Sequence, residues 1–181
     1  MAASTDSIAV EDEGGDLILW ILVWSELAAF GVLLGGFLVM SFLHPEDFGV
    51  AKLHLDTRLA SLNTLVLLAS GWRAAAAVRA NSELGRKIGL WSAAFLGLVF
   101  AAIKAWEYRG DLHFAGEASF NAFFELYFLI TGFHLAHVVF LSLIMLLVAR
   151  RPQPGNVALV ATLWHAVDLV WLVIFPIVYL G

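Results

Sequence analysis

The chain has 181 residues, of which 61% are hydrophobic and 14% are charged. Soluble domains are closer to half apolar and a quarter charged, so this composition indicates an integral membrane protein. The formal net charge of −5 argues against a basic surface that binds nucleic acid as the chain's principal functional feature. Because the chain has no cysteine, it has no disulfide, thiolate metal site, iron–sulfur cluster or c-type haem attachment.

The chain divides into a short polar start and a long apolar remainder. Residues 1–16 are acidic and contain no Lys or Arg, and we interpret them as a flexible N-terminal tail in the cytoplasm. Residues 17–181 are expected to form one membrane domain. A helix needs about 20 apolar residues to cross the hydrocarbon core, and a backbone in lipid must satisfy its own hydrogen bonds. The predicted fold is therefore an all-α, polytopic bundle of five transmembrane helices, at about 17–43, 59–79, 85–108, 120–149 and 156–180.

The distribution of Lys and Arg predicts the orientation of these helices, since cytoplasmic loops carry the excess of basic residues. The side shared with the N-terminus carries Arg79, Arg86, Lys87, Arg150 and Arg151. The opposite side carries Lys52, Arg58 and Arg109, with Lys104 near its boundary. We therefore expect the N-terminus in the cytoplasm and the C-terminus in the periplasm.

Several ionisable residues fall inside the apolar segments, where charges are costly and usually face a bundle interior, a cavity or a partner. They are Glu26, His134, His137, His165 and Asp168. Counted at about 1.5 Å per residue, all five lie at similar depth between the cytoplasmic boundary and the middle of the membrane. The sequence therefore predicts one buried polar layer.

This layer has three interpretations. A metal or haem site would use His134, His137 and His165, but the paired Glu-x-x-His motifs of a di-iron bundle are missing. A proton relay would use Glu26, a carboxyl group inside an apolar segment. Hydrogen bonding between helices, with Asp168 and His165 as an internal lock, is the interpretation we prefer. We assign no catalytic residue and no metal ligand.

Other polar and aromatic residues are assigned to boundaries and contacts. Lys104 and Glu107 are three apart, and we expect a pair that anchors the outer end of the third helix. Small polar residues bond across membrane helices, and long basic side chains snorkel to the surface. Lipid or partner contact is expected of Arg73, Trp164, Trp171 and Asn63.

Five motifs occur in order, one in each apolar segment. They are Ser25-Glu26, Leu62–Ser70 (LNTLVLLAS), Lys104–Tyr108 (KAWEY), Thr131–Val138 (TGFHLAHV) and Trp164–Trp171 (WHAVDLVW). This ordered set resembles subunit III of the haem–copper oxidases over nearly the whole chain. The five-helix form is similar to the short version of that family.

The resemblance implies a subunit that holds no haem or metal of its own. It would pack against the catalytic subunit I of a respiratory complex in the bacterial inner membrane. It would also bind a structural phospholipid in a cleft between two helices and the rest of the bundle. In this family Glu26 corresponds to a membrane-buried glutamate, and the other four ionisable residues correspond to its polar layer. Arg73 departs from the family pattern, and we expect it to meet a lipid phosphate or Glu26.

Within the family, the chain is most similar to the NorE-type proteins associated with nitric oxide reductase. The short length, Lys104–Tyr108 and the ending 171–180 favour that branch. One alternative is subunit III of a terminal cytochrome c or quinol oxidase, supporting proton supply and oxygen access. A different class of alternative is a small proton or solute transporter using Glu26 and the histidines. The sequence has no inverted repeats, which disfavours the transporter.

Overall fold

The computed structural model describes the backbone of residues 3–111 and 121–180, and every regular element in those two ranges is helical. The predicted all-α class is therefore confirmed. The elements are α1 (Ala3–Leu43), α2 (Pro45–Lys52), α3 (Thr57–Arg79), α4 (Glu83–Asp111), α5 (Asn121–Val148), α6 (Pro154–Phe175) and a π-helical turn (Pro176–Leu180).

Two predicted segments, the N-terminal tail and the loop before the fourth span, can be compared with the structure only in part. Helix α1 begins at Ala3, within the segment interpreted as a tail, and the flexibility of residues 1–16 stays a prediction. Most of the loop expected between the third and fourth segments, and the start of the fourth segment at residue 120, lie outside the described residues. Helix α4 extends to Asp111, three residues beyond the predicted end.

The helix ends follow local chemistry. Asp56 caps α3, because its carboxylate accepts hydrogen bonds from the backbone N–H groups of Arg58 and Leu59 at 3.1 and 3.0 Å. Pro45 and Pro154 stand in the first turns of α2 and α6, where a missing N–H costs nothing. The eight-residue helix α2 was not predicted, because it has no apolar run of membrane length.

Four helices are long and apolar enough to cross a membrane: Leu19–Leu43, Glu83–Asp111, Ala122–Val148 and Pro154–Leu180. The fifth predicted span corresponds to α3, which has 23 residues but a less apolar composition, with Arg58 and Arg73 among small and polar side chains. Of the five predicted spans, four are therefore candidate membrane spans by length and hydropathy within the described residues, and the fifth, α3, is a helix of lower hydropathy.

Helices α3 and α4 form an antiparallel hairpin with close backbone contact. The amide of Asn63 donates to the carbonyl of Phe100 at 3.1 Å, and the hydroxyl of Ser70 donates to the carbonyl of Ala93 at 2.7 Å. Further along, a side chain added at Gly89 would meet Cβ of Ala77 at 2.6 Å. Small residues at these positions let the two backbones approach, as is common in membrane bundles.

Helix α1 lies at the edge of the bundle against α5 and α6, and only 17% of its span is buried. The C-terminal part of α1 packs in a cluster of aromatic side chains from α1, α2 and α5. The rings of Phe37 and Phe48 lie 5.3 Å apart, and the ring of Phe48 lies 5.3 Å from that of Phe123. Helix α2 therefore fastens α1 to α5 through edge-to-face ring contacts.

Candidate functional site

Glu26 of α1 meets His137 of α5 beside a cleft. Oε2 of Glu26 lies 2.9 Å from Nε2 of His137, and the two side chains are 31% and 21% exposed. Nδ1 of His137 lies 2.8 Å from the carbonyl oxygen of Phe133, which only accepts, so Nδ1 carries a proton. A second proton, on Nε2 or on the carboxyl group, makes the contact with Glu26 attractive.

The cleft beside this pair lies between α1, α5 and α6 and has a volume of about 150 Å³. Apart from Glu26 and His137, its wall is made of apolar side chains, including those of Phe30, Phe140 and Val170. Such a surface suits an acyl chain or a small apolar molecule, with one polar pair at its side.

His134 lies apart from that pair, although it is only one helical turn away. It is fully buried, its ring stacks on Trp171 at 5.1 Å, and the edge of Phe100 approaches at 5.8 Å. Neither ring nitrogen has a hydrogen-bond partner within the described residues. His134 therefore lies among rings of α4 and α6, with Phe30 of α1 at 6.2 Å, whereas His137 reaches the Glu26 carboxylate of α1.

His165 and Asp168 form a third polar group, at the contact between α6 and α3. Nδ1 of His165 lies 3.5 Å from Oδ2 of Asp168, whose side chain is buried. A Cβ added at Gly71 would meet Oδ2 of Asp168, so the Asp168 side chain would have to move to admit it. One turn away, Nε1 of Trp171 donates to Oγ1 of Thr64 at 2.9 Å.

The five residues predicted as one layer thus occupy three separate places: beside the cleft, in the aromatic core, and at the α3–α6 contact. Within residues 3–111 and 121–180, no three His, Asp or Glu side chains are grouped so that they could hold a metal ion. Within the described part of the chain, no hydrogen bond joins the Glu26–His137 pair to the His165–Asp168 pair.

The residues expected at lipid or partner surfaces differ from that expectation. Trp164, Trp171 and Asn63 are buried within the chain's own bundle, because their rings and amide fill the contacts of α3, α4 and α6. Arg73 does not reach Glu26. Its Nε donates to Oγ of Ser92 on α4 at 2.7 Å, and its side chain is half-buried.

Lys104 and Glu107 also differ from the expected boundary pair, because both are buried. Their charged atoms lie 3.1 Å apart, and Nζ of Lys104 donates to the hydroxyls of Tyr127, at 2.9 Å, and Tyr179. The tyrosines pass the hydrogen bonds on: Tyr127 donates to Asp111 and Tyr179 donates to Glu107, each at 2.7 Å. We call these five residues the Lys104 cluster.

Three members of the Lys104 cluster were missed in the sequence. Asp111 had a signal, because Lys104, Glu107 and Asp111 are spaced three and four apart and share one helix face. Tyr127 and Tyr179 come from separate apolar segments, where a tyrosine is equally compatible with an interface position. The cluster ties α4 to α5 and to the π-helical turn.

These features define a polytopic helical membrane protein whose buried polar side chains bond one helix to another. The family described as cytochrome c oxidase subunit III matches residues 46–181. The chain belongs to that family. The match contains α3 to α6, and Glu26 on α1 lies before it.

Individual relatives extend the similarity to α1. The cytochrome c oxidase subunit 3 of Synechocystis sp. is 30% identical over 86% of this chain and 71% of its own length. That of Thermostichus vulcanus is 27% identical over 90% of this chain and 86% of its own length. The probable quinol oxidase subunit 3 of Staphylococcus saprophyticus is 26% identical over 99% of this chain and 94% of its own length.

Proposed function

We propose that this chain is a non-catalytic accessory subunit of a haem–copper oxidase superfamily complex in the bacterial cytoplasmic membrane. The family match over residues 46–181 is the observation that carries the proposal. The subunit packs against the catalytic subunit I and stabilises it, while haem and metal belong to that partner. Its own polar residues contribute contacts between helices, as in the Lys104 cluster, rather than a reacting centre.

The proposed topology has five spans, with the N-terminus in the cytoplasm and the C-terminus in the periplasm. Helix α3 is the span that hydropathy alone does not identify. Its hydrogen bonds to α4 run from Asn63 to Arg73, opposite Phe100 to Ser92. Because α4 has the length and composition of a membrane span, an antiparallel helix paired along it occupies the same depth. The excess of Lys and Arg at the α3–α4 and α5–α6 turns supports the orientation.

The cleft beside Glu26 and His137 is the proposed place for a phospholipid acyl chain. Its apolar wall supports this, and the polar pair supplies a group that meets water, a headgroup or a polar atom of the partner. In the complex, the acyl chain would fill the cleft between α1 and the pair of helices α5 and α6.

The partner complex is the finer part of the proposal. The names of the relatives favour a terminal cytochrome c or quinol oxidase. The segments 104–108 and 171–180 favour a NorE-type subunit of nitric oxide reductase. The two candidate complexes differ in substrate, oxygen for the terminal oxidase and nitric oxide for the reductase.

The test is a pull-down of the tagged chain from native membranes in gentle detergent, followed by an optical spectrum and mass spectrometry. The proposal expects haem bands and a large histidine-rich membrane subunit to accompany the chain, and the reaction of that complex with oxygen or nitric oxide identifies the partner. A colourless chain running alone would contradict the proposal and favour a transporter. A coloured chain running alone would favour haem ligation by its own histidines.

A further inference from the structure

A basic and aromatic groove lies on the outer face of the α3–α4 hairpin. Its floor is one face of α4, formed by Leu84, Lys87, Ile88, Trp91, Ser92 and Phe95. Arg73 of α3 reaches its edge through the hydrogen bond to Ser92. We call this surface the Arg73 groove. Helix α1 packs on α5 and α6, so the groove is separate from the cleft beside Glu26.

The guanidinium of Arg73 is held in place by its neighbour. Oγ of Ser92 accepts from Nε of Arg73 at 2.7 Å and lies within hydrogen-bond distance of the carbonyl oxygens of Ile88 and Gly89, at 2.8 and 2.9 Å. The hydroxyl therefore faces Arg73 with its lone pairs. Within the described residues Arg73 forms no ion pair with an Asp or Glu, so its two terminal nitrogens keep their donors for another group.

The groove lies at the depth of a lipid headgroup region. Arg73 is six residues from the end of α3 and Lys87 is four residues from the start of α4, so both lie within about 10 Å of the same end of the hairpin. Trp72 and Trp91 are 67% and 50% exposed beside them, and tryptophan is enriched at membrane interfaces. Phe95, 65% exposed, continues the groove one turn deeper.

We propose that the Arg73 groove binds an anionic phospholipid. The guanidinium of Arg73 contacts the phosphate through its two terminal nitrogens, a geometry that arginine favours for phosphate. Lys87 adds a second positive charge near the headgroup, and an acyl chain lies along Trp91 and Phe95. The polar group of the other cleft includes an acid, Glu26, whereas the charged side chains of this groove are both cations, so the charge of the groove selects anionic headgroups.

Two observations favour a lipid over an acidic side chain of a partner protein. The same end of the hairpin carries two further basic residues, Arg79 and Arg86, against one acid, Glu83, and this excess of positive charge attracts anionic lipids through the surface potential. The wall is also a strip of exposed aromatic and aliphatic side chains running inward from the cations, which matches a headgroup followed by an acyl chain.

The test uses the full-length chain purified in neutral detergent and native mass spectrometry with titrated lipids. Phosphatidylglycerol and phosphatidylethanolamine with the same acyl chains are compared. We expect the wild type to bind phosphatidylglycerol about tenfold more tightly. Each basic residue near a membrane surface contributes about 1 kcal/mol of attraction, or about fivefold. Arg73→Gln should therefore weaken phosphatidylglycerol binding about five- to tenfold and Lys87→Gln about fivefold, with phosphatidylethanolamine binding unchanged.

Arg151→Gln is the matched control, because it removes the same charge at the same end of the bundle but outside the groove. It should leave the preference within about twofold, since a single exposed charge outside the groove is largely screened. No headgroup preference in the wild type, or an equal loss in Arg151→Gln, would overturn the proposal. Should Arg73→Gln fail to fold, the exposed Lys87→Gln variant still decides the outcome.

A photoreactive residue at Phe95 tests the occupant in native membranes. The proposal expects a lipid adduct, detected by mass spectrometry of the cross-linked chain. A protein adduct at this position would overturn it in favour of a partner subunit. Both experiments report on the groove alone, so their failure would leave the accessory-subunit proposal standing.

Discussion

Lys104 shows how a lysine is tolerated inside a membrane bundle. Its ammonium group is fully buried and has three short-range partners: the Glu107 carboxylate and the hydroxyls of Tyr127 and Tyr179. An ammonium group has three donors, so its hydrogen-bonding capacity is matched by these neighbours. The tyrosines in turn donate to carboxylates, and such a chain of bonds is costly to leave incomplete.

Removing the charge of Lys104 should therefore destabilise the chain strongly. Lys104→Met leaves Glu107 buried without its cation, and breaking one side of a buried pair typically costs about 3–5 kcal/mol. The free energy of unfolding of the purified chain in mixed micelles is the measurement. Lys104→Met/Glu107→Gln removes both charges and should recover part of the loss.

Lys87→Met provides the control for this prediction. It makes the same substitution at an exposed lysine of the same helix, where surface changes usually stay within about 0.5 kcal/mol. If Lys104→Met costs no more than Lys87→Met, or if the double variant is less stable than Lys104→Met, the Lys104 cluster does not stabilise the fold as described.

The contacts of individual side chains were the feature that could least be predicted from the sequence. The spacing of His134 and His137 placed both on nearby positions of one helix, but their side chains diverge, one toward α1 and the other into the aromatic core. Spacing gives the angular position of a residue on its own helix and not the neighbour that occupies that angle. The pairing of Glu26 with His137 and of Arg73 with Ser92 therefore needed the structure.

At the scale of the elements, the α3–α4 hairpin depends on the small residues between its helices. A side chain at Gly89 would meet Cβ, Cα and N of Ala77 at 2.6, 2.8 and 3.0 Å. Two of those atoms belong to the backbone, so the overlap cannot be relieved by turning a side chain. The whole helix would have to move.

Gly89→Ala should accordingly destabilise the chain, by about 1–3 kcal/mol, the usual cost of overpacking. The measurement is again unfolding in mixed micelles. Gly31→Ala on α1 is the matched control, since nothing lies within 4 Å of a side chain added there, and it should be neutral or slightly stabilising. Equal stability of both variants would contradict the close α3–α4 contact.

Hydropathy was a good guide to the long helices and a poor one to the others. The apolar segments predicted all five long helices, including 59–79, but only four of these helices are apolar enough over their length to be candidate membrane spans. Helix α3 is rich in small residues that pack closely and in polar residues that form hydrogen bonds to α4 and α6. These residues lower its mean hydropathy. Helix α2 was missed because it has only eight residues, begins with a proline and contains no apolar run of membrane length.

Across the whole molecule, the polar groups fall into two sets: buried groups that hold helices together, and partly exposed groups on the surface of the bundle. The Lys104 cluster and the α3–α6 contact lie inside the bundle and hold its helices together. Glu26, His137 and the Arg73 groove lie partly exposed on two different sides. The order of motifs along the chain predicted the family, which the match over residues 46–181 confirms. The three-dimensional separation of the polar groups could not be predicted, since it depends on how the helices are rotated.

We propose that this chain supports a haem-containing partner and holds no haem or metal of its own. The most direct test is to release the chain from the purified complex, assay both fractions for haem and metal, and add the chain back. We expect all haem and metal to stay with the partner. We also expect the depleted complex to lose activity faster during turnover, and added wild-type chain to restore its lifetime. Haem or metal in the released chain, or an unchanged lifetime without it, would contradict the proposed function.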